Sequence, residues 1–130
     1  MISGSASRKS NPDAARWLAR FEAHLLGNLA DHAATTARES LDYPGPQEPS
    51  KPGEAPNSQT GALHDGIQPD VEPHRSTVSS SRNGSSVVPK ALENGTADGR
   101  LAARPYMRPA FDETVREFRT IVAESKGETR

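Results

Sequence analysis

The spacing of apolar residues predicts a long amphipathic helix in the first third of the chain. Apolar side chains recur every fourth residue from Trp17 to Leu29, and alanines continue the same stripe toward Leu41. Asn11 is a favourable N-cap residue, and Pro12 suits the first helical position, where no backbone N–H is needed. A helix of roughly 30 residues is about 45 Å long, so we expect part of it to pack on another subunit.

A second amphipathic helix is predicted near the C-terminal end. Pro109 suits its first turn, and Gly127 is a favourable stop just after the last apolar residue. Ile121 widens its apolar stripe on one side. The stripe itself, at offsets of four, seven and eleven residues, consists of Phe111, Val115, Phe118 and Val122.

Two Arg-Pro steps precede this second helix. Each proline favours an extended conformation for the residue before it, so residues 101–108 are expected to form an extended arm. Such steps are also common in loops before an ordinary surface helix. The two interpretations differ in whether the arm is preset for a contact between subunits.

The region between the helices carries one clear turn signal. Asn83-Gly84 is a preferred centre of a type I′ turn, which predicts a hairpin between residues 75–82 and 86–88. Residues 89–94 are expected to form one helical turn. The predicted cross-strand pairs are Ser80 with Val87 and Val78 with Pro89.

Proline dominates two other stretches of the chain. Residues 42–59 contain five prolines and predict a long loop, which is either an inert linker or an arm that reaches a neighbouring subunit. Pro69 and Pro73 limit any strand between them to a sheet edge or to an irregular piece.

These elements together predict an α+β fold. The long N-terminal helix and the C-terminal helix are expected to pack on a small, mainly antiparallel β-sheet, with the Pro-rich loop between them. We expect one domain over residues 11–126, preceded by a disordered N-terminus at 1–10 and followed by a short tail at 127–130.

Composition narrows the classes of function. The 130 residues are 32% hydrophobic and carry a net charge of -1, which predicts a thin core completed by burial against partners. The chain has no cysteine, so neither disulfides nor thiolate metal sites can form. The first ten residues lack an apolar signal region and no apolar run reaches membrane-spanning length, so we expect no membrane contact.

The sequence contains no arrangement that is typical of catalysis. GxSxG, P-loop and GxGxxG motifs are absent, and the four histidines lack the spacing of metal ligands. His64-Asp65 is better explained by surface hydrogen bonding than by acid–base chemistry. We therefore expect no enzymatic activity, no cofactor and no bound metal.

Three short motifs occur in the order seen in a known viral family. They are Thr60-Gly61-Ala62-Leu63, Leu92-Glu93-Asn94-Gly95-Thr96 and Ala103-Arg104-Pro105-Tyr106-Met107-Arg108-Pro109-Ala110-Phe111. In these motifs the chain resembles the tail-completion, or head–tail joining, proteins of long-tailed bacteriophages. The resemblance covers the C-terminal half of the chain.

The resemblance implies a structural virion protein. It implies the same α+β arrangement and a sixfold ring of subunits at the neck, which joins the DNA-filled head to the tail and lets DNA pass. The implied partners are further copies of the chain, the neck or head-completion protein and the tail terminator protein, with assembly in the host cytoplasm. The alternatives are a tail terminator or minor tail subunit and, from a different class, a small DNA-contacting regulatory protein.

The residues expected at subunit contacts come from the three motifs. Arg100, Arg104 and Arg108 also form a basic string with two interpretations: solvated or partner-facing salt bridges, or phosphate contact with DNA passing nearby. The expected contact residues are Thr60, Gly61, Leu63, Gly95, Thr96, Arg104, Pro105, Tyr106, Met107, Arg108, Pro109 and Phe111.

Overall fold

The structure, a computed structural model, describes residues 11–41, 52–53, 61–100 and 102–129. The predicted α+β class is confirmed, because long helices pack with a two-stranded antiparallel sheet. Apart from residues 52–53, the predicted Pro-rich loop lies outside the described residues, as does the predicted disordered N-terminus. The elements are α1 (Pro12–Leu41), α2 (Ala62–Asp65), β1 (Ile67–Glu72), β2 (Arg75–Ser80), α3 (Val87–Asn94), α4 (Met107–Arg116) and α5 (Phe118–Glu128).

The helix α1 begins and ends where the sequence predicts. The side-chain Oδ1 of Asn11 accepts hydrogen bonds from the backbone N–H of Asp13 at 3.0 Å and of Ala14 at 3.2 Å. These bonds match two of the N–H groups that a helix start leaves free. The helix runs for 30 residues, and its buried positions are Ala30, Ala34, Ala37 and Leu41.

The core is small and surrounds the C-terminal half of α1. Leu41, Ile67 and Tyr106 are its largest fully buried side chains, and each is less than 2% exposed. Because alanine removes little apolar area from water, these three side chains supply much of the hydrophobic stabilisation. The buried cluster consists of Ala34, Ala37, Leu41, Leu63, Ile67, Tyr106 and Ala110.

The strands β1 and β2 form a hairpin that lies with one face on α1. A two-residue turn at Pro73-His74 joins them, and His74 has a φ of 68°. The register begins with Ile67 opposite Ser80, and shielded and exposed residues alternate along β2. Pro69 lies within β1, and the prediction that it restricts its strand to a sheet edge is met because a two-stranded sheet has only edges.

The predicted Asn-Gly turn is present. Asn83 has a φ of 51° and Gly84 a φ of 82°, so both lie in the left-handed region that a type I′ turn requires. Arg82 and Ser85 flank the turn and form an isolated antiparallel bridge. The turn therefore reverses the chain, but pairing extends only one residue on each side.

The strand that was predicted after this turn is instead the start of α3. Because the helix begins at Val87, the predicted pairs of Ser80 with Val87 and of Val78 with Pro89 are wrong. In the hairpin that forms instead, β2 pairs with β1 and Ile67 is completely buried, whereas Val87 is 72% exposed. Burial of an apolar anchor thus favours pairing with the earlier strand. The predicted helical turn at 89–94 is confirmed within α3.

The C-terminal region forms two helices instead of the single predicted one. Glu117, with φ -89° and ψ 6°, separates α4 from α5. Pro109 lies in the first turn of α4, as predicted. The helix starts two residues earlier, at Met107, so the prediction that the extended arm includes Arg108 is wrong.

The end of α5 also differs from the prediction. The helix continues through Gly127 to Glu128, so Gly127 does not act as the stop. Thr129 closes the helix instead: its backbone N–H donates to the Lys126 carbonyl at 3.1 Å, and its hydroxyl donates to the Ser125 carbonyl at 2.7 Å. The predicted tail at 127–130 therefore begins inside the last helix.

Candidate partner-binding groove

The segment before α4 is held by backbone hydrogen bonds from two sides. The N–H of Arg104 donates to the carbonyl of Leu92 at 2.6 Å, at the end of α3. The carbonyl of Ala103 accepts a hydrogen bond from the N–H of Gly53 at 2.9 Å. A residue of the Pro-rich stretch therefore contacts the Arg-Pro segment directly.

Glu93 caps the start of α4 although it lies in another helix. Its Oε1 accepts hydrogen bonds from the backbone N–H of Tyr106 at 3.0 Å and of Met107 at 2.9 Å, and its Oε2 accepts one from Arg108 at 3.0 Å. Pro109 has no N–H, so the donors of the first turn are all matched. The carboxylate also complements the positive end of the helix dipole. This cap explains why α4 begins at Met107.

Tyr106 lies inside the subunit. Its side chain is 1% exposed, and its hydroxyl shares a hydrogen bond of 2.6 Å with the hydroxyl of Ser80. Burial raises the pKa of Tyr106; the Ser80 hydrogen bond opposes this shift and the Glu93 carboxylate adds to it. Tyr106 therefore connects α4 to β2 and is closed to a partner in this conformation.

The other predicted contact residues are divided between core and surface. Leu63 is 7% exposed and belongs to the core. Gly61, with a φ of 81°, precedes α2, and Gly95, with a φ of 75°, follows α3. Thr60 lies outside the described residues. The partly buried members of the Arg-Pro segment are Arg104, Pro105 and Met107, and the exposed ones are Arg108, Pro109 and Phe111.

Thr96 and Arg100 belong to a tight surface turn around Asp98. The Thr96 hydroxyl donates to Asp98 Oδ1 at 2.7 Å, and the Arg100 backbone N–H donates to the same oxygen at 3.0 Å. These two bonds, that of Thr96 foremost, lower the pKa of Asp98. The ionised carboxylate lies 3.5 Å from Nε of Arg100 and forms an ion pair with it.

The remaining arginines of the basic string also have nearby partners. Nε of Arg108 lies 3.4 Å from Oδ1 of Asp112, one helical turn later. Nη1 of Arg104 donates to the carbonyl of Ala102 at 3.2 Å. Because two of the three cations in the string pair with carboxylates, the segment carries little net positive charge for binding phosphate.

Three residues of the predicted apolar stripe face away from the core, whereas Val122 is half-buried and Ile121 is buried. Phe111 is 60% exposed, Val115 57% and Phe118 45%. The helices approach the alanine-rich face of α1 with small residues, which permit close packing. The buried positions of α4 and α5 are Ala110, Thr114, Ile121 and Ser125.

Hydrogen bonds fix this orientation of α4 and α5 on α1. Nδ1 of His32 lies 2.7 Å from Oγ1 of Thr114. Nδ2 of Asn28 donates to Oγ of Ser125 at 3.0 Å and to Oε1 of Glu128 at 2.8 Å. Turning the apolar stripe inward would break all three contacts, so the outward orientation is a specific feature of the packing.

An open groove lies beside the exposed stripe. Its floor is α1, and its two walls are β2 and α4. Its volume of about 770 Å³ is within the range of roughly 300–1,000 Å³ that is typical of ligand sites. Among the described residues that line it, Arg75 is the one that carries a charge. The lining consists of Leu26, Leu29, Ala30, Ala33, Arg75, Ser76, Thr77, Val78, Met107, Ala110, Phe111, Thr114, Val115 and Phe118.

A second hollow continues along α1 toward its N-terminal end. Leu26 borders both cavities, and the second has a volume of about 670 Å³ between α1 and the tip of the hairpin. Leu18 is 58% exposed in it and Val71 is 48% exposed. On the same helix the rings of Trp17 and Phe21 stack with centroids 5.3 Å apart. The two cavities thus place apolar side chains in succession along one face of α1.

The described residues contain no group of three or more histidine and carboxylate side chains placed to hold a metal ion. None of the described helices combines the length and the apolar character that crossing a bilayer requires. Comparisons of the chain with protein-family models, with curated proteins and with solved structures found no match.

Two features of this region were missing from the sequence-based predictions. The capping role of Glu93 joins residues 13 and more positions apart, a separation at which helical or strand periodicity gives no signal. The wall formed by β2 depends on the pairing of β2 with β1, whereas the sequence predicted pairing with residues 86–88. The sequence did predict which apolar residues share a helix face, because their spacing is regular.

Proposed function

We propose that the chain is a structural subunit of a bacteriophage neck, where copies of it form a ring that joins a DNA-filled head to a tail. The observation that carries the proposal is the outward-facing stripe of Phe111, Val115 and Phe118 beside a mainly apolar groove. Contiguous apolar surface of this kind is uncommon on monomers and marks sites of association. Aromatic side chains are also enriched where subunits meet.

The relative positions of the three motifs support the resemblance to tail-completion proteins. Leu63 of the first motif and Tyr106 of the third belong to one buried cluster. Leu92 and Glu93 of the second motif bind the backbone of the third. Residues that are far apart in the chain therefore form one structural unit, as expected if the three motifs contribute to a common fold.

The proposed partners are neighbouring copies of the chain, the neck or head-completion protein and the tail terminator protein. In this role the chain provides binding surface and carries out no reaction. A tail terminator or minor tail subunit is the alternative within the same structural class, since both would use an exposed apolar face in an assembly. The proposed location is the virion neck, reached by assembly in the host cytoplasm.

A DNA-contacting regulatory protein is the alternative from another class. It would depend on Arg100, Arg104 and Arg108, and the carboxylates of Asp98 and Asp112 already pair with two of these residues. Titration of duplex DNA at several salt concentrations separates the two classes. Tight binding with a steep salt dependence would favour the DNA-contacting protein over the neck subunit.

Disruption of the gene in the phage that encodes the chain tests the proposed role directly. The expected lysate contains DNA-filled heads and complete tails that are separate under the electron microscope. Infectious particles in normal numbers would refute a joining function. A lysate with tails of abnormal length would instead favour the tail terminator.

Substitutions in the exposed stripe test the groove as the assembly surface. Phe111→Ser combined with Phe118→Ser should abolish ring formation, measured by light scattering with the protein alone and with its neck partner. Both side chains are largely exposed, so the stability of the subunit should change by less than about 0.5 kcal/mol each. Val87→Ser is the matched control, because Val87 is 72% exposed and lies outside the groove. Unchanged rings in the double variant would refute this use of the groove.

A further inference from the structure

The two edges of the hairpin can be distinguished by the phase of its hydrogen bonds. In an antiparallel ladder, pairs that exchange backbone hydrogen bonds alternate with pairs that do not. Ser81 N–H donates to the carbonyl of Gly66 at 3.1 Å, which fixes the phase in the printed register. Counting in steps of two from there, the bonded pairs are Gln68 with Ser79, Asp70 with Thr77 and Glu72 with Arg75.

The pairs in between turn their backbone groups away from the partner strand. On β1 these groups belong to Ile67, Pro69 and Val71, and on β2 they belong to Ser76, Val78 and Ser80. The first set points out of the sheet on the β1 side, and the second set points out on the β2 side. Each strand thus presents its own row of donors and acceptors at an edge.

The outer edge of β1 is blocked. Pro69 has no N–H to offer there, and a guanidinium N–H of Arg38 donates to the outward carbonyl of Ile67. Proline at an edge and a covered carbonyl are two of the means by which proteins prevent a further strand from pairing. A new strand is therefore not expected on this side.

The outer edge of β2 is open and lies in the groove. Among the described residues, no backbone hydrogen bond reaches the outward N–H of Ser76 or of Val78. Four consecutive residues, 75–78, line the groove, although only every second side chain of a strand points to one face. The strand therefore borders the groove along its edge, with its free N–H and carbonyl groups next to the apolar side chains of α4.

We propose that the groove binds an extended peptide segment of a partner protein, which pairs with β2 as a third strand. The segment is uncharged and carries an apolar side chain at every second residue. These side chains enter the space between α1 and the exposed Phe111, Val115 and Phe118, while the backbone pairs with Ser76 and Val78. Strand addition of this kind takes its affinity from main-chain hydrogen bonds and its specificity from pockets for alternate side chains.

The charge of the groove supports this choice of ligand. In the described part of the lining Arg75 alone is charged, and it pairs with Glu72 at 3.5 Å at one end of the wall. A charged ligand segment would lose its hydration without gaining a partner in the middle of the groove. The inference names the ligand of the same groove that the proposed function uses, so it rests on that function.

A synthetic peptide of alternating valine and threonine, acetylated, amidated and labelled with fluorescein, is the probe for this site. Its binding to the full chain is measured by fluorescence anisotropy. The matched probe has the same side chains with a methyl group on every backbone nitrogen, which removes the N–H donors at both edges of the strand. We expect the methylated peptide to bind more weakly by about tenfold or more. Equal binding of the two peptides would overturn strand addition.

Proline substitutions test which strand edge receives the peptide. Val78→Pro removes the outward N–H in the groove and leaves the β1–β2 ladder intact, because Val78 lies opposite Pro69 in a pair without hydrogen bonds. Val71→Pro makes the same change on the blocked edge and is the control. Val78→Pro should weaken binding of the unmethylated peptide by about tenfold, and Val71→Pro should leave it unchanged. Circular dichroism of both variants establishes that they fold.

Amide hydrogen exchange gives a second measurement that does not depend on a variant. Binding of the peptide should slow exchange at Ser76 and Val78, while Thr77, which already bonds to β1, should change little. Protection confined to α4 would show that the ligand packs on the helix and would overturn the proposal.

The outcomes also separate this inference from the proposed function. If neither peptide binds and the variant with serine at positions 111 and 118 still loses its rings, the groove is an assembly surface without strand addition. If the peptide binds by strand addition and disruption of the gene leaves normal particles, the strand site is correct and the neck function is not.

Discussion

Replacement of Glu93 should destabilise the protein far more than its position in a short helix suggests. Its carboxylate accepts three backbone hydrogen bonds from the start of α4, at 3.0, 2.9 and 3.0 Å. A hydrogen bond to a charged group contributes about 1.5–3 kcal/mol, and loss of a helix cap costs about 0.5–2 kcal/mol. Because water can reach part of this site once the side chain is gone, we expect Glu93→Ala to lower the free energy of unfolding by about 3 kcal/mol.

A second variant separates the charge from the hydrogen bonds. Glu93→Gln keeps one oxygen, which can accept from Tyr106 and Met107, but it places an NH₂ group against the N–H of Arg108. It also removes the charge that complements the helix dipole. The expected loss is roughly half that of the alanine variant, about 1.5 kcal/mol.

Urea denaturation followed by far-UV circular dichroism measures both changes. Glu124→Ala is the control, because Glu124 is an exposed residue of α5 with an expected effect of less than about 0.5 kcal/mol. The slope of the transition should stay the same if only stability changes. A loss in Glu93→Ala as small as in the control would refute the view that Glu93 determines where α4 begins. Faster amide exchange at Met107 and Arg108 in the alanine variant would support it independently.

Three further predictions follow from contacts elsewhere in the fold. Gly66→Ala should prevent folding or destabilise strongly in thermal melts, because a Cβ at that position would lie 1.6 Å from the backbone oxygen of Ser81; a melting curve like that of the unsubstituted protein would contradict this contact. Tyr106→Phe should cost about 1 kcal/mol through the lost hydrogen bond. Since the pKa of Tyr106 is raised in the fold, its contribution to stability is constant below about pH 10 and falls as the pH rises further, and the phenylalanine variant should lack that fall. Asn11→Ala should lower the free energy of unfolding by about 1 kcal/mol, and no change would contradict the cap seen at α1.

The predictions that the structure confirms rest on signals contained within a few neighbouring residues. Asn11 caps α1 through bonds to residues two and three positions later, so the start of this helix is encoded locally. The left-handed backbone at Asn83 and Gly84 is also a local preference of these residue types. The helical content and the α+β class follow from such signals, because each element needs only its own pattern.

The errors arise where several local solutions compete. Val78 has comparable apolar candidates on both sides in the sequence, and the correct partner strand is decided by the burial of Ile67 against α1. Arg108 precedes a proline, which by itself favours an extended conformation. The hydrogen bond from its N–H to Glu93 stabilises the helical conformation instead. Gly127 is a weak helix former. The hydrogen bond of the Thr129 hydroxyl to the Ser125 carbonyl nevertheless stabilises the last turn of α5, which includes Gly127.

The groove also combines a feature that local sequence signals predict with one that only tertiary packing decides. The stripe of Phe111, Val115 and Phe118 could be read from its spacing, and hydrophobicity alone would have placed it in the core. Its outward orientation follows from the packing of the opposite face of α4, where Ala110 joins the core cluster with alanines of α1 and Thr114 contacts His32. Hydrophobic spacing reports which side chains share a face, but it does not report which face the rest of the protein covers.

The sequence by itself thus determined the long helix α1 with its cap, the Asn-Gly turn and the scarcity of core-forming side chains. The tertiary structure decided which strand pairs with β2, where α4 begins and which apolar face stays open as a groove. The physical reason is the range of the interactions. Capping, φ preferences and periodicity act over one or two turns of chain, whereas strand pairing and burial depend on surfaces that come together only when distant segments pack.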